Sequence, residues 1–482
     1  MFYSENTPSI SMTVVGFGQA GTRIADLFAL VQKNGKPVYN CLALNSNDGD
    51  LKELKHIPPD NQCSLQLGGL GKNPEKALRI LNENENAKNL LKSFIAERVR
   101  PADQLVLFFA GLGGGTGTST IVKAIDEFFE HHNKPIIQEE LVAIRKTVEP
   151  DDFKANMKKY VAQALRNAQE KGRLIKIGVV ATIPVRSDGP DALRQVNDFA
   201  QKIWKLSKQP GKGIAFVVFP DNQRFYDEWK AKGVAETGCD NYRDFANRKI
   251  FEIFHELNTA TNGGGTSITF DQQDFRRIIL EGTGTLVMNK ITRNIDEVTN
   301  TYDMKNMFVD SIAGSYLHDP IVLQEHTEDG RTKFAKVHHI GLLAVIDKKK
   351  ADISSSFLDE AKDEISQKIP LQGTIFTGYL QEKNNFEATV YTFFKAEALP
   401  ARLAKGLVQE YEEFKKRNES VTFKSDSIEK IEGSAADDDI DVSDLLVDLG
   451  LENEQIEEKI KNDEDFDLEF DVSDISLEDL KS

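Results

Sequence analysis

The chain has 482 residues, 40% of them hydrophobic, with 29 phenylalanines and a formal net charge of −17. That length points to more than one domain and that composition to sizeable cores. No run of 18 apolar residues occurs, which excludes a membrane-spanning helix.

The first residues, MFYSENTPSISM, lack a basic region followed by an apolar one, so no secretory leader is expected. Cys41, Cys63 and Cys239 lie far apart, in neither a metal spacing nor a disulfide framework, which fits a reducing cytoplasm. The histidine pairs at residues 131–132 and 338–339 have no partner cluster and read as surface or satisfied side chains. Charge is unevenly placed. Residues 434–482 hold 19 acids and three lysines, a net of −16, and the remaining body is near −1.

In chain order, residues 12–17 (MTVVGF) read as a first strand, and Gly16, Gly18 and Gly21 then make GxGxxG ahead of a helix over residues 22–31. This pattern also opens a dinucleotide-binding fold. That rival requires an acid at the end of the second strand to hold a ribose. Here the second strand, residues 39–44, ends in Asn45-Ser46-Asn47. Another glycine loop follows at residues 68–74 (GGLGKNP), where Pro74 suits the first turn of the helix it opens. Residues 105–110 (LVLFFA) read as a buried parallel strand, residues 111–120 (GLGGGTGTST) as a phosphate cradle, and residues 121–130 as an amphipathic helix. Glycines let backbone N–H groups close on an anion without a Cβ in the way. The helix start adds unpaired N–H groups and the positive end of a dipole, and Thr116, Thr118 and Ser119 add hydroxyls. Three such loops exceed what a dinucleotide requires, and no Walker loop, GxxxxGK[ST], is present.

GGGTGT, at Gly113, Gly114, Gly115, Thr116, Gly117 and Thr118, is the signature of the tubulin/FtsZ GTPases, which the chain resembles. Gly18-Gln19-Ala20-Gly21 resembles tubulin's first phosphate loop. GLGKNPE, containing Gly71, Lys72 and Asn73, resembles the FtsZ loop near the γ-phosphate. Ser119 stands where the family usually has a glycine, and Lys72 where FtsZ has a small residue. The resemblance implies bound GTP or GDP with Mg²⁺, contacted by these residues and by Asn45.

Residues 133–173 are charged, with a helical pattern over 151–171, and read as an insertion built on a solvated helix. Residues 174–184 return as a strand. The loop after it, Arg186-Ser187-Asp188-Gly189, resembles the family's sugar-contacting loop and nominates Asp188. Residues 213–220 form another parallel-type strand. The next segment, DNQRFYD, resembles tubulin's DNEALYD, which implies that Asn222 contacts guanine; Asn222 also suits a helix cap. Residues 240–262 read as one long helix with a stripe of Phe245, Ile250, Phe254 and Leu257. Near its start, Asn247 matches the family asparagine that reads the guanine edge, a task suited to an amide, which both donates and accepts. Tyr242 stacks on the base or packs as an ordinary aromatic.

After Gly263-Gly264-Gly265, residues 268–275 (ITFDQQDF) match the family's NxDxxD, with Asp271 and Asp274 as the two acids and Thr269 in place of the asparagine. Acids so placed also serve as helix caps. Asn247 and Gly263 are 16 residues apart, or roughly 24 Å of helix. A base-reading residue and catalytic acids at opposite ends cannot meet within one subunit. They can meet between subunits stacked head to tail, a heterologous contact that builds a filament when it does not close. In the family the acids complete the neighbour's GTPase site, so hydrolysis is coupled to assembly.

Beyond residue 285, strands at 286–288, 339–346, 373–379 and 387–394 with a helix at 352–368 suit the family's second domain, and residues 398–418 read as a surface helix. The tail repeats itself, as IDVSDL at 440–445 and FDVSDI at 470–475, which fits either recognition motifs or a solubilising segment.

The expected fold is therefore α/β: a Rossmann-like parallel-sheet GTPase domain over 1–239, a central helix and catalytic loop over 240–283, a second α/β domain over 284–396, a C-terminal helix over 397–433 and a disordered acidic tail over 434–482. The expected protein is a cytoplasmic GTPase whose partner is itself in a head-to-tail filament, with no dedicated metal-ligand set. Of the known types it is most like the plasmid or phage TubZ type. A divergent FtsZ-like division GTPase and a non-hydrolysing nucleotide-binding scaffold are the alternatives. Without a strong basic patch, direct DNA or membrane binding is not expected, and an adaptor protein on the acidic tail is.

Overall fold

A ten-stranded sheet runs through the described residues. The structure is a computed structural model that describes residues 7–68, 70, 73–260, 270–326, 331–346, 353–381 and 386–419. In chain order the strands are β1 (Met12–Phe17), β2 (Asn40–Asn45), β3 (Gln62–Ser64), β4 (Leu105–Gly111), β5 (Lys176–Thr182), β6 (Ile214–Val218), β7 (Thr285–Asn294), β8 (Val337–Ile346), β9 (Ile375–Gln381) and β10 (Glu387–Ala396). Their spatial order is β9-β8-β10-β7-β6-β5-β4-β1-β2-β3. From β3 through β7 neighbouring strands are parallel; β10 runs antiparallel to both β7 and β8.

Continuous apolar runs form the central strands because both of their faces are covered. Along β4, Leu105, Leu107 and Phe109 enter one core while Val106, Phe108 and Ala110 enter the other, as the two-residue period requires. The first core lies under helices Gly18–Ala29 and Tyr242–Ala260. Phe28 holds it together, with Phe251 edge-on at 4.9 Å and Phe109 at 5.6 Å between ring centroids. The second core lies under helices Glu85–Arg98, Gly115–Phe128 and Pro190–Ser207. Helices Thr301–Ile312 and Ser356–Lys368 cover β7–β10 with a third core.

The helix expected over 151–171 is two helices, Pro150–Ala155 and Met157–Glu170. Asn156 interrupts it, turning its amide back onto the Asp152 carboxylate at 2.8 Å, a local bond that competes with the helix. With Lys134–Arg145 these helices enclose their own apolar cluster, including Ile137, Ile144, Val161 and Leu165, so this segment has an interior as well as a solvated face. The C-terminal helix also departs from expectation. A π-turn at Arg402–Gly406 precedes Leu407–Glu419, and Leu403 and Leu407 are buried in the second core. The tail, with its IDVSDL and FDVSDI segments, lies outside the described residues, as do Gly263–265 and Thr269.

Candidate functional site

The topology makes a crevice at one edge of the sheet. From β1 the chain turns outward to β2 and β3, then returns to β4 on the other side of β1. Ligands of parallel α/β sheets sit outside the carboxyl ends of the strands at such a reversal. A cavity of about 440 Å³ lies there. It is lined by Gly18, Gln19 and Ala20 after β1, Asn45 and Ser46 at the end of β2, and Gly113, Gly114, Gly115, Thr116 and Gly117 after β4. Pro184 and Asp188 follow β5, Asn222 follows β6, and Tyr242 and Asn247 come from the central helix.

Two helices begin at this cavity with bare ends. Gly18–Ala29 and Gly115–Phe128 have no side-chain cap and no acid in the first turn. Their first-turn N–H groups and positive dipole ends are therefore available to an anion. Other helices around the cavity and beyond it are capped, where Asn73, Asp221 and Asp271 each accept a backbone N–H, while Lys134–Arg145 and Met157–Glu170, away from the cavity, are also uncapped. Gly18 has φ +65, and a Cβ there would stand 2.7 Å from the Gly117 nitrogen, so the first and third glycine loops interlock where no side chain fits.

Not every glycine or hydroxyl of the motifs faces the cavity. Gly21 packs its Cα under the Phe109 carbonyl, where a Cβ would lie 2.0 Å from that oxygen; it lets helix Gly18–Ala29 approach β4. Thr118 donates its hydroxyl to the Gly114 carbonyl at 2.6 Å, and Ser119 to Gly115 at 2.9 Å, so both are turned into the helix. Thr116 faces the cavity and donates to Ser46 Oγ at 2.9 Å. Of the middle loop, Gly71 and Lys72 lie outside the described residues. Asn73 is an exposed cap that accepts from the Lys76 nitrogen at 2.9 Å, and its own nitrogen abuts Gly115.

At the other end of the cavity Asn247 is buried, and Asn222 opens helix Asn222–Thr237. Asp221, not Asn222, is the cap, its carboxylate accepting from the Gln223 nitrogen at 2.9 Å. Among the described residues the amides of Asn222 and Asn247 make no hydrogen bond, so both are available to a ligand. Tyr242 stands edge-on to Tyr226 at 5.4 Å with the Arg243 guanidinium 4.8 Å over its ring.

Five lining residues went unmarked in the sequence motifs: Arg23, Asp50, Thr182, Pro184 and Arg243. Asp50 is held by the Asn45 amide at 2.9 Å, and Arg23 pairs with Glu53 at 2.6 Å. The segment NSNDGD carried the only local signal, an acid-rich turn at a strand end. Among the described residues no three His, Cys, Asp or Glu side chains cluster as a metal site.

Asp271 and Asp274 do not join this cavity. They begin helix Gln272–Leu280, beyond the far end of Tyr242–Ala260, and Asp271 accepts from the Asp274 nitrogen at 2.8 Å. From Asn247 to Ala260 is 13 residues, about 20 Å of helix. Partial burial, and then the neighbouring Asp271, push the Asp274 carboxyl up from its ordinary value.

Residues 256–407 match the family model described as Tubulin/FtsZ-like protein TubZ-like, C-terminal domain. The fold matches the GTPγS-form protofilament structure of Bacillus thuringiensis serovar israelensis TubZ, with a TM-score of 0.60 at 18% identity over 86% of this chain and 94% of that one. The chain resembles the tubulin/FtsZ superfamily in fold and, over part of its length, in sequence. Within it, similarity is spread between two types. TubZ of Bacillus thuringiensis subsp. israelensis is 25% identical over 297 residues, 58% of this chain and 54% of that protein. Tubulin-like protein CetZ of Pyrococcus furiosus is 36% identical over 121 residues, 24% of this chain and 31% of that protein. The chain thus spans about half of the TubZ relative and about a third of the CetZ relative. A parallel-dominated sheet carries the cavity, and the long helix Tyr242–Ala260 leads from it toward the second half.

Proposed function

We propose that this chain binds GTP in the cavity, polymerises head to tail, and hydrolyses GTP where one subunit meets the next. The observation that carries the reading is the pairing of chemistries in one cavity: two bare helix ends for the phosphates, and at the other end the unengaged amides of Asn222 and Asn247 for the base. An amide matches guanine's adjacent acceptor and donors. Asp188 is assigned to the sugar, and the glycine loops with Asn45 and Asn73 to the phosphates; Gly71 and Lys72 belong to the same loop as Asn73. Mg²⁺ on nucleotide phosphates needs one or two protein oxygens rather than a dedicated cage. Asp50 and Thr116 on the wall fit that requirement, and the ion supplies charge neutralisation when bound.

Asp271 and Asp274 are assigned to position the attacking water in the neighbour's cavity, since they stand a helix length from their own. Phosphoryl transfer depends on such placement more than on covalent chemistry. The raised Asp274 carboxyl lies on the side that favours accepting a proton from that water.

Competition of GTP with ATP on wild type and Asn247→Ala tests the base assignment, with an expected loss for GTP of about 1–3 kcal/mol. Equal binding of the two nucleotides to the wild type would overturn it. For catalysis, Asp271→Ala is expected to bind GTP and form long static filaments, and wild-type turnover per subunit to rise with concentration until assembly saturates. Normal turnover in that variant rules the role out.

For the cell, plasmid or phage DNA segregation is the favoured role. One solved TubZ is described as a type III plasmid segregation protein, and the domain match is TubZ-like. An adaptor protein would then bridge the anionic tail to DNA. The CetZ similarity keeps a cytoskeletal role apart from DNA as a second reading. Removal of residues 434–482 separates the two: under the first, the cut chain assembles but no longer sediments with the adaptor.

A further inference from the structure

A second cavity, of about 560 Å³, opens on the edge of the sheet opposite the first. Its origin is a seam. β6 and β7 share one register pair, Val217 with Thr285, so the segment ahead of β7 passes the start of β6 without laddering. The space left is bounded by Lys176 at the start of β5, Lys208 after helix Pro190–Ser207, Lys336 and His338 at the start of β8, and Glu397 just after β10.

The lining sets three lysines and a histidine against two carboxylates, Glu281 and Glu397, and is incompletely paired. Among the described residues neither Lys176 nor Lys208 has an ion-pair partner, and Lys208 rests 4.3 Å over the Trp204 ring. Glu397 is shared, 3.6 Å from Lys336 Nζ and 3.3 Å from His338 Nε2, yet that buried nitrogen makes no hydrogen bond. Lys395, 1% exposed, lies behind, its ammonium held by the carbonyls of Ala215, Ile279 and Gly282 at 3.2, 3.1 and 3.4 Å and by that of Glu281. Burial lowers Lys176 and Lys208, and lowers His338 together with its cationic neighbours. Half-buried cations without an ion-pair partner are costly to hold. A multivalent anion offsets that cost and offers the lysines the charge that the shared Glu397 does not supply to all of them.

We propose that this cavity is a binding site for a small multivalent oxyanion, one bearing phosphate or carboxylate groups, gripped by Lys176, Lys208, Lys336 and His338. Such a ligand bridges the β5–β6 side of the seam to the β8–β10 side. It also lies against residues 280–283, where helix Gln272–Leu280 ends. The site thus joins the two halves of the sheet at their single-pair seam and differs in position and chemistry from the nucleotide cavity.

The test is isothermal titration of sodium pyrophosphate, and separately of sodium citrate, into the full chain against sodium chloride at matched ionic strength. The two anions distinguish phosphate from carboxylate chemistry. Because pyrophosphate also fits the glycine loops, the titrations are repeated on Lys176→Gln/Lys208→Gln and on Gly18→Ala. The expected result is saturable binding that the lysine double variant weakens about tenfold or more and Gly18→Ala leaves in place. Citrate binding is also expected to raise the melting temperature of the wild type but not of the double variant. Should the double variant fail to fold, Lys336→Gln, nearer the rim, carries the same expectation. Affinity unchanged in the lysine variants, loss confined to Gly18→Ala, or no saturable binding of either anion overturns the proposal; only the second of these outcomes speaks to the nucleotide cavity.

Discussion

Replacing Arg402 by Met tests how the C-terminal helix supports the Asn222 end of the cavity. Arg402 is 5% exposed and Asp221 2%. Its guanidinium donates two parallel bonds to Glu410, both 3.0 Å, one to the Pro184 carbonyl at 3.0 Å, and a fourth to the Asp221 carboxylate. Arg186 also donates to Glu410 at 2.9 Å, so Glu410 keeps a partner in the variant. Asp221 loses its guanidinium, and a buried carboxylate left that way costs about 3–5 kcal/mol. The pH dependence has a definite sign. Burial already pushes the Asp221 carboxyl up, against the pull of Arg402; without Arg402 it rises further. A carboxyl whose folded pKa exceeds its unfolded value binds its proton more tightly in the folded state, so the deficit shrinks as pH falls through that folded pKa. Urea denaturation of wild type and Arg402→Met at pH 8 and pH 5.5 is the assay, with nucleotide affinity measured alongside, since Asp221 caps the helix that Asn222 begins. Arg402→Lys keeps the charge but not the fork, and is expected to recover part of the loss. A deficit below about 1 kcal/mol, the size of an exposed pair, or one that grows toward low pH, refutes the reasoning.

Gly18→Ala is expected to cost about 1–3 kcal/mol, because φ +65 and the 2.7 Å approach to Gly117 both exclude a Cβ; thermal melting and nucleotide titration check it, and wild-type behaviour in both removes the interlock. His255 and His318 are buried and lowered to about 4, chiefly by desolvation, so each keeps the fold stable above the unfolded value near 6.5 and withdraws about 3 kcal/mol as pH falls from there to 4. Denaturant midpoints from pH 7 to 4 should fall steeply in the wild type and less so in His318→Gln; parallel curves contradict this. Asp274→Asn removes a carboxylate crowded by Asp271, so thermal stability should hold or rise slightly at pH 8 while assembly-coupled turnover is lost. A drop in stability that accounts for the lost turnover would remove the catalytic assignment.

What the sequence determined by itself is what short-range pattern encodes. Continuous apolar runs such as LVLFFA specified strands buried on both faces. Glycine clusters between strand and helix marked the turns that line the cavity, where backbone approaches without a Cβ in the way. Asn222 and Asn247 were legible because their neighbours carry a recognisable spacing, and the tail's charge was legible by counting. Tertiary structure decided the rest. Within the same motifs it sent Gly18 and Thr116 to the cavity and Gly21, Thr118 and Ser119 to packing, since a residue's side of a turn depends on which strand lies beside it. It gave the capping role to Asp221 rather than Asn222 by burying that carboxylate against Arg402, 181 residues away. It placed Arg23, Asp50 and Arg243 on the wall, and three lysines and a histidine from three parts of the chain around one seam. None of these has a local periodicity. Each arises from pairings between strands and helices far apart in the chain, whose stability comes from burial shared by the whole sheet and not from any one segment's own preference.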